Sequence, residues 1–246
     1  MLKYRIISGV SFLALVAAMA VWAPTSVIVA FILVLAAMAT LETVNLMTHA
    51  GYPALKWTSL GIGLLWMASA WAMAGSAEDG THAAGLFSLK WLMPGISVWA
   101  VLLGCLFRSD QSKSLAKIAG SFVTIAYVPG LMQFLLLLLF VGAGATHEDG
   151  RMLLVYGILV IKFTDIGAYF TGRACGKHKL IPKISPAKTW EGVLGGIAVA
   201  VLMSLGFLAV SGFVISGVNF GLGDAILLGI LLSVAGILGD LVESML

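Results

Sequence analysis

Charge is what this chain has least of. Only 10% of its 246 residues are Asp, Glu, Lys or Arg, against about 25% in an ordinary soluble domain. That shortage excludes a water-soluble globular fold. Cysteine is scarce too: Cys105 falls inside an apolar run and Cys175 in a basic stretch. This excludes a disulfide framework and a thiolate metal site. The four histidines, His49, His82, His147 and His178, fall in four separate loops, and none is spaced as a metal pair. Solvated loop histidine is the reading for the first three. Period-two alternation of apolar and polar residues is missing as well, which excludes a transmembrane barrel.

What is abundant is apolar length. Hydrophobic residues make up 61% of the chain, and runs of about 20 residues, each enough to cross a bilayer as a helix, recur along it. Eight are expected, at about 6–23, 25–47, 57–74, 91–107, 118–143, 152–171, 190–211 and 222–246. The expected fold is therefore all-α, a polytopic transmembrane helical bundle. Residues 1–150 supply N-terminal spans, and 151–246 form the region that carries the chemistry. Pro94 and the Pro129-Gly130 pair are expected to kink or unwind the fourth and fifth spans. Lys3 and Arg5, followed by small residues at Ala18 and Ala20, also fit a cleaved signal peptide. The first helix of a polytopic protein looks the same and needs no cleavage.

Positive charge orients such a chain. With the N-terminus in the cytoplasm, the inner segments hold Lys3, Arg5, Lys56, Arg108, Lys113, Lys117, Arg173, Lys177, Lys179, Lys183 and Lys188. The outer ones hold only Lys90 and Arg151, with acids at Glu78, Asp79, Glu148 and Asp149. Eleven against two sets the orientation and supports the alternation of eight spans.

Six charged residues interrupt the apolar runs: Glu42, Lys162, Asp165, Glu191, Asp240 and Glu243. A charge at the centre of a membrane costs about 2.5–3.5 kcal/mol or more, so such residues face a partner or a wet cavity and mark function. Lys162, Asp165 and Tyr169 share a helix face at i, i+3 and i+7. Asp240, Glu243 and Ser244 share another, and Glu191 opens the seventh span, so acids from three helices reach one cytoplasmic depth. Glu42 lies near a span end, where snorkelling to the interface accounts for it.

The segment from Asp165 to Lys179 ends a helix and opens the most basic loop of the chain. A positive-inside loop is its plain reading; phosphate binding is its functional one. Gly172 and Gly176 would allow close backbone approach, while Arg173, Lys177 and Lys179 supply charge and donors. It is not a Walker loop, because Gly172 to Gly176-Lys177 is one residue short and His178 stands where Ser or Thr would bind magnesium. Downstream, Ser185-Pro186 reads as an N-cap followed by proline at the first helical position. Glu191 is too far along to complete a capping box with Ser185. Such a helix start favours anions, and Lys188 adds charge one turn in. Trp190 reads as an interfacial anchor, and Gly192, Gly195 and Gly196 as a helix-packing face. Asp240 and Glu243 offer hard oxygen ligands suited to magnesium beside a polyphosphate. Their structural alternative is a buried ion pair, for instance with Lys162.

Three blocks carry a resemblance: Asp165-x-Gly-Ala-Tyr-Phe-x-Gly-Arg-x-x-Gly-Lys-His-Lys-Leu, Ile184-Ser-Pro-x-Lys-Thr-Trp-Glu-Gly, and Gly239-Asp-Leu-x-Glu-Ser. In order and spacing they resemble the phosphatidate cytidylyltransferases, or CDP-diacylglycerol synthases. The N-terminal half carries no comparable signature. The resemblance implies transfer of a cytidylyl group from CTP to phosphatidate, with release of pyrophosphate, at the cytoplasmic face of the cell inner membrane. It implies magnesium, with room for a second cation. The partners are CTP, phosphatidate and membrane lipid, with no nucleic acid. Carried over by position, the candidate catalytic residues are Asp165, Lys188, Glu191 and Asp240. The candidate substrate-binding residues are Tyr169, Arg173, Lys177, Lys179, Ser185, Thr189 and Ser244, and the candidate metal ligands Asp240 and Glu243. Ala187 stands where the family often has Lys or Asn.

One departure stands out. The family's C-terminal signature starts at Ser244-Met245-Leu246, where the sequence stops. The expectation is a fragment, or a partner (a second chain or a homodimer) supplying the rest, with the chain alone inactive. Two other classes compete. An ion-coupled secondary transporter would use Lys162, Asp165 and Asp240 as its path, but no internal repeat supports it. A CTP-dependent lipid kinase is separated from the first reading only by the Ser-Pro-x-Lys-Thr-Trp-Glu-Gly block.

Overall fold

The computed structural model describes residues 11, 15–16, 18–76, 84–107, 113–141, 150–215 and 217–245. Lys3, Arg5, Glu78, Asp79, His82, Arg108, His147, Glu148 and Asp149 lie outside them, as does most of the first expected span. The chain divides into two compact units, Met1–Gly144 and Ala145–Leu246.

The first unit is a helical bundle. Its elements are α1 (Thr25–His49), α2 (Lys56–Ser76), α3 (Ala84–Leu106), α4 (Ser114–Tyr127) and α5 (Pro129–Leu139). Val128 separates α4 from α5, with Pro129 at the first position of the new helix, where its missing N–H costs nothing. Pro94, by contrast, sits inside α3, and the helix continues across it. Leu55, Val101, Cys105 and Ile125 form a buried cluster between α2, α3 and α4, with Trp66 and Phe122 packed against it. Of the buried hydroxyls here, that of Ser59 has no partner among the described residues, and the others bond within their own helices. Thr40, Thr43, Thr124 and Ser97 each donate to the carbonyl four residues back in their own helix, as hydrocarbon requires of any polar group.

The second unit packs three long helices, α6 (Arg151–Cys175), α7 (Trp190–Val210) and α8 (Leu222–Glu243). A two-stranded hairpin of β1 (Lys179–Ile181) and β2 (Ser185–Thr189) joins α6 to α7, and a smaller one, β3 (Val214–Ile215) with β4 (Val218–Asn219), joins α7 to α8. The α6–α7 seam is made of small residues. A methyl group at Gly167 would lie 2.7 Å from Val199 Cβ, one at Gly192 2.9 Å from the Ala168 carbonyl oxygen, and one at Gly196 3.0 Å from that of Thr164. Gly229 meets Val201 and Ser204 in the same way across α7 and α8. One buried hydrogen-bond chain crosses all three helices: Tyr156 Oη lies 2.7 Å from Ser204 Oγ, which donates to the Ala225 carbonyl at 2.6 Å.

Helices cover the expected spans from the second to the eighth. Five stretches among the described residues are long and apolar enough to cross a membrane: Thr25–His49, Ser114–Leu139, Arg151–Cys175, Trp190–Val210 and Leu222–Glu243. Their outward faces are apolar, with Leu194, Leu202 and Val210 all largely exposed. Helices that are apolar on their exposed side belong in lipid. The protein is an all-α polytopic membrane protein whose only sheet, among the described residues, is the two short hairpins.

Candidate active site

In the second unit the contacts fix the helix directions. Residues rising along α6 meet residues falling along α7 (Thr164 with Gly196, Ala168 with Gly192, Gly172 with Thr189), and α7 meets α8 antiparallel in the same manner. So α6 and α8 run parallel, and their C-terminal ends lie with the start of α7. Gly236 packs on Ile161. One turn further along each helix stand Asp240 and Asp165, which therefore sit at one level.

The Ser-Pro block is built differently from the sequence expectation. Ser185 is not an N-cap and Pro186 does not open a helix: both lie in strand β2. A two-stranded sheet has only edge strands, where a residue without an N–H is tolerated. The backbone stays extended through Thr189 (φ −128°, ψ 154°), and Thr189 is the N-cap, its Oγ1 accepting from Gly192 N–H at 3.1 Å. Lys188 is consequently a strand residue rather than one turn into a helix. Gly172 and Gly176 also turn out to serve Thr189. A methyl group at Gly172 would lie 3.0 Å from Thr189 Oγ1, and one at Gly176 would lie 2.9 Å from it. Their missing side chains make room for the cap and not for a ligand. Gly239, beside Asp240, has nothing within 4 Å of where a side chain would start.

The charged residues sort into pairs. Lys188 Nζ lies 2.7 Å from Asp240 Oδ2 and donates to the Ile237 carbonyl at 3.2 Å. The lysine side chain is mostly buried at 19% exposure, while Asp240 is open at 55%. Lys162 is not the partner of Asp240; it pairs with Asp165 on its own helix at 3.5 Å, both exposed. Arg173 donates to Tyr169 Oη at 3.0 Å. Lys177, Lys179, Lys183 and Glu243 are exposed, and Ser185 is half-buried. Ser244 is exposed too, its Oγ donating to the Asp240 carbonyl of its own helix at 2.7 Å. Glu42, in the first unit, is exposed. Among the described residues, no group of three or more His, Cys, Asp or Glu side chains converges as a metal site would require.

His178, set apart from the three loop histidines but given no role by the sequence, holds Glu191. Its backbone N–H donates to both carboxylate oxygens at 3.2 Å, and its Nδ1 lies 2.6 Å from Oε1. No sequence signal marks that contact, since it depends on the hairpin bringing residue 178 beside residue 191. The basic side chains of the α6 end and of the β1–β2 hairpin thus belong to the one end where Asp165, Glu191 and Asp240 also stand. It is a polar, cationic mouth suited to phosphate, with carboxylates ready to order a cation or a lysine.

Known proteins bear on this geometry. Residues 3–246 match the family model described as the cytidylyltransferase family. Over 150 residues the chain is 37% identical to a phosphatidate cytidylyltransferase of Staphylococcus haemolyticus, covering 61% of this chain and 52% of that one. It is 45% identical over 107 residues to the phosphatidate cytidylyltransferase of Haemophilus influenzae, covering 41% and 35%. A third, from Staphylococcus aureus strain COL, is 39% identical over 150 residues, or 54% of each chain. The chain spans about half the length of the curated relatives it matches, and less of the Haemophilus protein. With the match running over nearly every residue, the chain belongs to the cytidylyltransferase family.

Proposed function

We propose that this chain works in the transfer of a cytidylyl group from CTP to phosphatidate, giving CDP-diacylglycerol and pyrophosphate. The observation that carries the reading is the Lys188–Asp240 pair at the mouth of three packed membrane helices, with Arg173, Lys177 and Lys179 exposed on the segment that runs from the end of α6 into the hairpin. A lipid phosphate oxygen attacks the α-phosphorus of CTP. A phosphorus–oxygen bond forms there, the bond to the bridging oxygen breaks, and its electron pair leaves with pyrophosphate. No protein nucleophile is needed.

The work left to the side chains is placement and charge. Arg173, Lys177 and Lys179 gather the triphosphate, with Tyr169 orienting the Arg173 guanidinium through its hydroxyl. Lys188, held by Asp240 and the Ile237 carbonyl, presents a fixed positive charge to the phosphates. Asp165 steadies Lys162 at the same level. Asp240 and Glu243, three residues apart on one helix face and both open, have the hard oxygen donors that magnesium takes, one or two carboxylates with the rest from phosphate and water. Bound there, magnesium would supply positive charge for the phosphate oxygens. The mouth faces the cytoplasm across the cell inner membrane, a placement supported by the excess of Lys and Arg on that side and by the need for CTP.

The test uses membranes containing the protein with any partner chain it needs, phosphatidate, magnesium and CTP labelled at either the α- or the γ-phosphate. Label from the α-position should enter lipid and label from the γ-position should not; the reverse would make the protein a lipid kinase. Asp240→Asn and Lys188→Met should each lower the rate by about 100-fold or more, the loss typical of one strong electrostatic contact. Rates within a few-fold of the unsubstituted protein would remove this pair from the reaction.

A further inference from the structure

Strand pairing at the base of the β1–β2 hairpin is incomplete in a way that gives Glu191 its role. Lys179 faces Thr189 across the ladder, so the next pair outward is His178 with Trp190. In an antiparallel ladder a hydrogen-bonded pair exchanges two bonds. Here only one is made backbone to backbone, from Trp190 N–H to the His178 carbonyl at 3.0 Å. Trp190 already belongs to α7, and its carbonyl is committed along the helix axis to the residue four ahead. The His178 N–H is left without its ladder acceptor. The Glu191 carboxylate takes that place, accepting the N–H with both oxygens and the imidazole Nδ1–H with one.

We infer that Glu191 is a positioning residue: it clasps His178 to the first turn of α7 and so fixes the β1–β2 hairpin over the mouth. The inference rests on the cytidylyl-transfer reading for its consequence, though not for its geometry. Two observations say what the clasp fixes. The hairpin carries Lys179, Lys183 and Lys188, with Lys177 immediately before it, and so holds most of the mouth's basic residues. Its other leg is already anchored, since Thr189 is buried and caps α7. Without Glu191 the base of the β1 leg is tied to the first turn of α7 by the Trp190–His178 bond alone, the rest of the leg being held by its ladder with β2. Freedom there passes into β2 and to Lys188, whose Nζ must stay within reach of Asp240 and Ile237 on another helix. Glu191 touches no phosphate in this account; it acts through Lys188 and the basic leg.

That role separates from direct participation in chemistry. A carboxylate needed for its charge is lost equally in Glu191→Ala and Glu191→Gln. A clasp is kept in part by Gln, whose carbonyl oxygen still accepts the His178 N–H. Misplacement of about 1 Å costs up to about 100-fold, so Glu191→Ala should fall 10- to 100-fold in kcat/KM for CTP, and Glu191→Gln should recover most of that loss. His178→Ala should show part of the Ala effect, and the double variant should be no worse than Glu191→Ala alone, as for two residues acting as one unit. Equal loss in Gln and Ala variants, or multiplied loss in the double variant, overturns the inference. The geometry has its own readout. In detergent-solubilised protein, Glu191→Ala and His178→Ala should speed trypsin cleavage after Lys177, Lys179 and Lys183 while cleavage elsewhere stays unchanged, and Glu191→Gln should slow it back. Cleavage of the Ala variants at the unsubstituted rate refutes the clasp. Should the unsubstituted protein transfer no cytidylyl group by itself, as the sequence expectation has it, the proteolysis result alone decides the clasp.

Discussion

The seam between α6 and α7 is close at Gly167, and a methyl group there should be felt at the mouth. The added carbon would stand 2.7 Å from Val199 Cβ, 2.9 Å from its Cγ2 and 3.0 Å from the Gly195 carbonyl oxygen. Carbon atoms prefer about 3.5–4.0 Å. Valine is β-branched with little rotamer freedom in a helix, and the Gly195 oxygen is backbone. Neither can step aside, so α6 and α7 must part by about 1 Å. Overpacking of this kind costs about 1–3 kcal/mol, while exchanging glycine for alanine returns up to about 1 kcal/mol of helix propensity. The net is a destabilisation of about 1–2 kcal/mol, or about 2–8 °C in thermal midpoint for a chain of this size. Gly206→Ala is the control, because nothing lies within 4 Å of the position its Cβ would take. It should leave the midpoint unchanged or raise it. Thermal unfolding of both variants in one detergent, followed by tryptophan fluorescence, decides the matter. A Gly167→Ala protein as stable as Gly206→Ala would refute the close-seam argument.

Thr189→Ala removes the α7 cap and should cost about 1 kcal/mol, with Thr189→Ser restoring most of it; paired midpoints in detergent measure both. Tyr156→Phe deletes the hydroxyl that reaches Ser204, and inter-helix hydrogen bonds in membranes are worth about 0.6 kcal/mol on average. Its midpoint should fall by no more than a few degrees, and a collapse of the fold would mean the chain Tyr156–Ser204–Ala225 does more than join helices. Cys175, exposed at the end of α6, reports topology without any substitution: a membrane-impermeant maleimide should leave it unlabelled in intact cells and label it after permeabilisation. Labelling in intact cells would turn the mouth to the outside.

Helices were legible because lipid leaves the chain so little choice. An apolar run of 20 or so residues must satisfy its own backbone, and the α-helix is the way a single segment does so. The small-residue face at Gly192, Gly195 and Gly196 was legible for the same reason, as those positions fall on one side of α7 and lie against α6. What could not be read was the hairpin. Ser185-Pro186 satisfies the local rule for a helix start, and only pairing with three residues, Lys179–Ile181, through an irregular register, makes it a strand. Short strands of this kind carry no period long enough to show. The ion pairs divide along the same line. Lys162 with Asp165 is an i, i+3 pair within one helix, whereas Lys188 meets Asp240 from another element altogether.

Glu191 shows how a misplaced boundary can still leave a true signal. With Ser185 as the cap, a glutamate six residues on has no local reason to be there, and function was the reading that remained. With Thr189 as the cap, Trp190, Glu191 and Gly192 become the first, second and third helical residues. A capping box needs the acid at the third position, where it can reach back to the cap's own N–H. Glycine occupies that position here, and Gly192 N–H is the group that bonds to Thr189. One residue earlier, the carboxylate cannot close the box, but it stands at the helix terminus whose partial positive charge favours an anion. It is thus held at the start of α7 with hydrogen-bonding capacity to spare beyond its own backbone N–H. Donors reach it from its own backbone N–H, from His178 on both backbone and ring, and from the Lys177 backbone. The residue that local capping rules could not place is the one on which the hairpin closes.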